Sequence, residues 1–156
     1  MFIRARQILT IAFAIAAVAL SGACSSNNEE GGEASPSEAT SGPTSQTVDV
    51  TAKDYALAAD QTDLSAGGTT FAVANEGPST HEFVVFKTDL AEDALPVENG
   101  EVNEDDPALE SMGEVEDVES GATKSFSATL TPGSYVAICN LPGHYEKGMA
   151  IAFTVS

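Results

Sequence analysis

From residue 47 onward, apolar and polar residues alternate in short runs. Val48 and Val50, Tyr55 and Leu57, Phe71 and Val73, Phe83 and Val85 with His81 in the same phase, then Phe126, Ala128 and Leu130, and finally Ile151, Phe153 and Val155 each keep a period of two. That period turns one face of an extended chain to a core and the other to solvent, so it predicts half-buried β-strands. Turn formers separate the runs: Gly67-Gly68, Asn75-Glu76-Gly77-Pro78, Gly121, and Thr131-Pro132-Gly133-Ser134, whose Pro and Gly suit the centre of a type II turn. About seven short strands at this spacing predict an all-β fold, a Greek-key β-sandwich.

Residues 89–122 break the alternation. Positions 89–119 hold 13 acidic residues and no Lys or Arg, with apolar residues scattered as Leu90, Leu95, Val97, Val102, Leu109, Met112, Val115 and Val118. This stretch reads as an acidic insertion between strands, part loop with short helices. It serves either as a solvated surface or as a face that steers a basic partner.

The N-terminal third follows a different logic. Arg4 and Arg6 precede an apolar run over 8–20 interrupted only by Thr10, and small residues follow, Ser21-Gly22-Ala23-Cys24. A basic flank, an apolar run shorter than the roughly 20 residues of a spanning helix, and a small-residue site predict an export signal over 1–23. The cysteine placed directly after that site resembles a bacterial lipobox, with Leu20 four residues before Cys24 where the motif has three. The resemblance implies a lipid on Cys24; without it, cleavage leaves a secreted protein. Between Cys24 and Gln46 the chain has no Leu, Ile, Val, Phe, Tyr or Met, so 24–46 reads as a disordered tether leading to a domain over 47–156.

Charge removes one class of function. With 24 Asp and Glu against 6 Lys and Arg, the formal net charge is −18, which excludes a basic grip on nucleic acid. Two cysteines, one of them at the cleavage site, are too few for a disulfide scaffold, so Cys139 needs another role.

Its surroundings supply one. Cys139-Asn140-Leu141-Pro142-Gly143-His144-Tyr145-Glu146-Lys147-Gly148-Met149 follows the apolar run Tyr135-Val136-Ala137-Ile138. A thiolate, an imidazole and a thioether on one short loop suit copper alternating between Cu(I) and Cu(II). A second imidazole has one source, His81, because the chain has two histidines. Zinc could use the cysteine and the two histidines but has no use for the thioether.

The segments Asn75-x-Gly77-x3-His81 and Cys139-x4-His144-x4-Met149, with the apolar strand that ends the chain, resemble the cupredoxins, the small blue copper proteins. The resemblance implies one copper per chain, held by Nδ1 of His81 and His144, the thiolate of Cys139 and, axially, Met149. It also implies a loop-organising role for Asn75 and an apolar patch of Leu141, Pro142, Tyr145 and Pro78 around a partly exposed His144 through which electrons pass. The four-residue gap between Cys139 and His144 is similar to that of azurin, auracyanin and rusticyanin, not plastocyanin.

The function so implied is one-electron transport outside the cytoplasmic membrane by a lipid-tethered carrier, with redox proteins such as basic cytochromes or oxidase domains as partners. The alternative is copper storage, delivery or resistance, against which stands the absence of a Met-rich or His-rich tract. A catalytic role is not expected: copper oxidases of this class need further histidine pairs, and this chain has two histidines.

Overall fold

The computed structural model describes residues 45–156. The signal segment 1–23, Cys24 and most of the tether lie outside the described residues. The strand β1 (Ser45–Lys53) begins two residues earlier than the sequence pattern suggests. Gln46 belongs to it because its side chain donates to the Ser65 carbonyl (2.8 Å) and bonds the Thr69 hydroxyl (3.0 Å).

Among the described residues there are eleven strands, more than the alternation predicts. After β1 come β2 (Ala56–Ala59), β3 (Asp63–Leu64), β4 (Gly67–Asn75), β5 (His81–Lys87), β6 (Val97–Glu98), β7 (Glu101–Val102), β8 (Glu110–Val118), β9 (Thr123–Leu130), β10 (Gly133–Ile138) and β11 (Ala150–Val155). One sheet has the order β2-β1-β4-β9 and the other β3-β11-β10-β5-β8, while β6 and β7 form a separate hairpin. The β1/β4 and β3/β11 pairs are parallel and the rest antiparallel, a mixed sandwich with crossovers between its layers.

The inward residues of both sheets form the main core. Phe71 of β4 lies at its centre, with ring centroids 5.6 Å from Phe83, 5.4 Å from Phe126 and 5.7 Å from Phe153, so one aromatic side chain ties β4 and β9 to β5 and β11. Cys139 and Met149 are fully buried members of this same cluster.

The insertion differs from its sequence reading. Residues 89–122 contain no short helix; they contain the β6/β7 hairpin and a nine-residue strand, β8, which pairs along β5. The alternation is masked because β8 carries an extra residue at each of two register shifts against β5, which throws its apolar positions out of phase. Gly113 lies at one shift, at φ +134°, and a Cβ there would come within 2.9 Å of the Phe126 ring, so the close approach of β8 to β9 requires glycine.

The scattered apolar residues have a common purpose. Leu95, Val102 and Leu109 are buried with Val84, Phe86, Val136, Ile138 and Tyr145 in a second cluster, on the outer face of β5 and β10. Those two strands are therefore buried on both faces, as their continuous apolar runs, Phe83-Val84-Val85-Phe86 and Tyr135-Val136-Ala137-Ile138, require. Among the described residues no helix is long and apolar enough to cross a membrane.

Candidate metal centre

The chain leaves β10 at Ile138 and enters the loop that returns as β11. Hydrogen bonds close it: the Cys139 amide donates to the Met149 carbonyl (3.1 Å), and the Met149 amide donates to the His144 carbonyl (3.3 Å). Between them, the His144 amide donates to Leu141 O (2.9 Å), and a single 3-10 turn, Tyr145–Lys147, ends at Gly148. These bonds hold Cys139, His144 and Met149 at one end of the sandwich. His81, the first residue of β5, comes to the same end from the neighbouring strand.

The candidate ligand atoms of His81, Cys139 and His144 all lie within 4.8 Å of one another. Sγ of Cys139 is 3.3 Å from Nδ1 of His144 and 3.8 Å from Nδ1 of His81. A first-row metal ion about 2.0 Å from an imidazole nitrogen and about 2.3 Å from a thiolate, at tetrahedral to trigonal angles, separates the two donors by roughly 3.5–3.7 Å. The observed spacings bracket that range, and both imidazoles present the same ring nitrogen to the sulfur. With the thioether of buried Met149, the donors form a potential single-ion ligand set of the kind a blue copper site needs.

The electrostatics are those of a half-sheltered pocket. Burial pushes the Cys139 thiol above its ordinary value, an effect offset in part by the Glu82 amide, which donates to Sγ at 3.5 Å. His144 is lowered, first by burial and then by the charges of His81 and Lys147. Glu82 is pushed up to about 7 by burial and then by repulsion from Glu104 and Glu114.

The surrounding residues take distinct positions. Asn75 joins three segments: its Nδ2 donates to the carbonyls of Ser79 and Val118 (2.7 Å each) and its Oδ1 accepts from the Gly77 amide (2.8 Å). Leu141 is half-buried against the main core, while Pro142 and Pro78 are exposed. Tyr145 does not reach the surface patch expected of it. It is buried in the second cluster, where its hydroxyl accepts from the Leu95 amide at 2.9 Å.

Two residues against the histidines were not read from the sequence as part of the site, Asp54 and Tyr55, the pair that joins β1 to β2. Oδ1 of Asp54 is 2.8 Å from Nε2 of His81, and the Tyr55 ring meets His144 edge to face at 5.0 Å. Lys147 closes over Tyr55, its Nζ 3.9 Å from the ring centroid. Tyr55 follows the apolar alternation, which predicts an inward ring, yet it is 40% exposed. No spacing rule connects either residue to His81 or His144, so only the folded chain reveals them.

Sandwich, ligand loop and converging donors together define the cupredoxin fold with a donor group that fits a blue copper site. Solved structures agree on the fold. Auracyanin A, a "blue" copper protein from the green thermophilic photosynthetic bacterium Chloroflexus aurantiacus, matches 72% of this chain and 100% of its own at 22% identity and a TM-score of 0.53. Auracyanin B matches 75% and 92% at 26% identity and a TM-score of 0.50. Rusticyanin from Thiobacillus ferrooxidans matches 70% and 77% at 16% identity and a TM-score of 0.51. No protein-family model and no curated protein matches the sequence.

Proposed function

We propose that this protein is a one-electron carrier built on a single copper ion, held by His81, Cys139, His144 and Met149. The observation that carries the reading is the convergence of two imidazole nitrogens on the Cys139 sulfur at 3.3 and 3.8 Å, beside a fully buried methionine. Copper, when bound, supplies a Cu(I)/Cu(II) couple. The chain contributes rigidity: Cys139, which directly follows the doubly buried β10, and Met149 are bonded to each other through the backbone and buried in the main core, so little has to move when charge changes. Loading requires the Cys139 thiol to release its proton, which burial makes harder and the Glu82 amide makes easier.

Electrons leave and enter at the half-buried His144 ring, which meets Tyr55 edge to face and follows the half-buried Leu141 and exposed Pro142 along the loop. The acidic insertion, fixed beside this loop by the Gly143 amide donating to Gly100 O at 2.7 Å, favours a basic redox partner. An export signal over 1–23 and a lipid on Cys24 place the carrier outside the cytoplasmic membrane, attached to it by the tether. The two histidines are both used at this one centre, which supports a carrier and not a copper enzyme.

The test is a redox titration of the copper-loaded protein combined with electron exchange against a basic redox protein. A reversible one-electron couple, with exchange that slows as salt is raised, supports the carrier. Irreversible reduction, with Cu(I) passed intact to an acceptor, would replace it with copper delivery.

A further inference from the structure

The joint between β1 and β2 is two residues long, because Lys53 pairs with Ala56, and its first residue reaches a candidate ligand. Asp54 is not loosely placed there. Its Oδ1 lies 2.8 Å from Nε2 of His81, and its Oδ2 accepts a 2.6 Å hydrogen bond from the Ser79 hydroxyl. Gly77 makes room for it: a Cβ at that position would come within 2.8 Å of Oδ1 and 3.1 Å of the Asp54 nitrogen. His81 itself is fully buried, so its ring cannot turn to water for a partner. Three independent features, a hydroxyl, a glycine notch and a buried ring, thus hold one carboxylate oxygen on one imidazole nitrogen.

A carboxylate only accepts hydrogen bonds, so in this contact Nε2 of His81 carries the hydrogen. In the neutral ring that leaves Nδ1, the nitrogen 3.8 Å from the Cys139 sulfur, with a free lone pair. Among the described residues His144 has no such partner: its ring meets Tyr55, an uncharged group. The two imidazoles are therefore unequal, one backed by a carboxylate and the other by an aromatic edge.

We infer that Asp54 is a positioning residue for His81 which fixes its Nδ1 lone pair toward the metal and, by its charge, shifts the centre in favour of Cu(II). This deepens the copper reading and rests on it. A negative group on the far side of a ligand raises the ligand's basicity, and basic ligands favour the more positive ion. Losing such a partner typically weakens metal affinity by roughly 10–100-fold, and Cu(II) loses more than Cu(I) because its charge is greater.

The experiment compares the full chain with Asp54→Asn, which keeps an acceptor but removes the charge, and Asp54→Ala, which removes both. Asp63→Asn, at the opposite end of β11, measures the effect of a distant acidic charge. In the metal-free protein, ¹⁵N spectra of His81 show Nε2 protonated in the native chain and in Asp54→Asn, and a mixture of tautomers in Asp54→Ala. With copper, Asp54→Asn raises the preference for Cu(I) over Cu(II) by about tenfold, about 59 mV for one electron, while the visible spectrum stays intense and Asp63→Asn shifts far less.

A native His81 protonated on Nδ1 would overturn the inference, as would an Asp54→Asn shift no larger than that of Asp63→Asn. Should the native chain take up no copper, the proposed function falls, and the metal-free ¹⁵N result alone then decides whether Asp54 orients His81.

Discussion

Asn140, the residue after the candidate thiolate ligand, links the metal loop to the insertion, and removing its side chain tests whether the insertion supports that loop. Its Oδ1 accepts from the Val102 amide at 2.6 Å, and its Nδ2 donates to the Val102 carbonyl at 3.1 Å and to Glu104 at 2.8 Å. Val102 is 3% exposed and Asn140 7%, so in Asn140→Ala the Val102 amide and carbonyl are left buried without these partners. Each of these two groups costs about 1–3 kcal/mol, and the half-exposed bond to Glu104 adds little, so the expected loss is about 2–6 kcal/mol. For a domain of this size that lowers Tm by about 8–24 °C. Thermal unfolding of the metal-free protein gives the loss, and amide hydrogen exchange at Val102 locates it. A fall of less than about 3 °C, with Val102 still protected, would refute the reasoning and show the insertion to be an independent appendage.

Two further substitutions test the electrostatics. Burial, then Glu104 and Glu114, raise the Glu82 carboxyl to about 7 in the folded chain, above its ordinary 4.5, so its share of stability is complete below pH 4.5 and is lost as pH rises through 7. After allowance for its partial exposure this share is about 1–2 kcal/mol. Glu82→Gln therefore makes the metal-free protein more stable than the native chain at pH 8 relative to pH 5, and parallel Tm-against-pH curves would contradict this. Tyr55→Ala removes the ring that covers His144. Since burial is the first cause of that histidine's lowered value, its titration in the metal-free protein, followed by NMR, moves up toward the ordinary histidine range; no movement would mean that other groups shield it.

The strands of the main core were legible because their alternation is regular: Val48 and Val50, Phe71 and Val73, and Phe153 and Val155 are all buried as their period requires. Three donors were legible as a cluster because they share one loop, and His81 because the chain has no other histidine to join them. The insertion was not. Its strand β8 is out of phase at two bulges, and Leu95, Val102 and Leu109 face a core whose other wall is the outer side of β5 and β10. A reading of one sheet face at a time has no place for a second core. The strands Phe83-Val84-Val85-Phe86 and Tyr135-Val136-Ala137-Ile138 held the missing signal, since a run without polar breaks needs cover on both sides. Tyr145 illustrates the same point: beside His144 in sequence, it turns to the second core, while Tyr55, remote in sequence, covers the ring.

X-ray absorption and paramagnetic resonance of the protein titrated with copper address the four donors together. One copper per chain, with one short sulfur and two nitrogen neighbours and an intense visible thiolate-to-Cu(II) absorption that disappears in Cys139→Ala, is the predicted result. Copper surrounded by oxygen and nitrogen alone, with a spectrum unchanged by Cys139→Ala, would contradict the account.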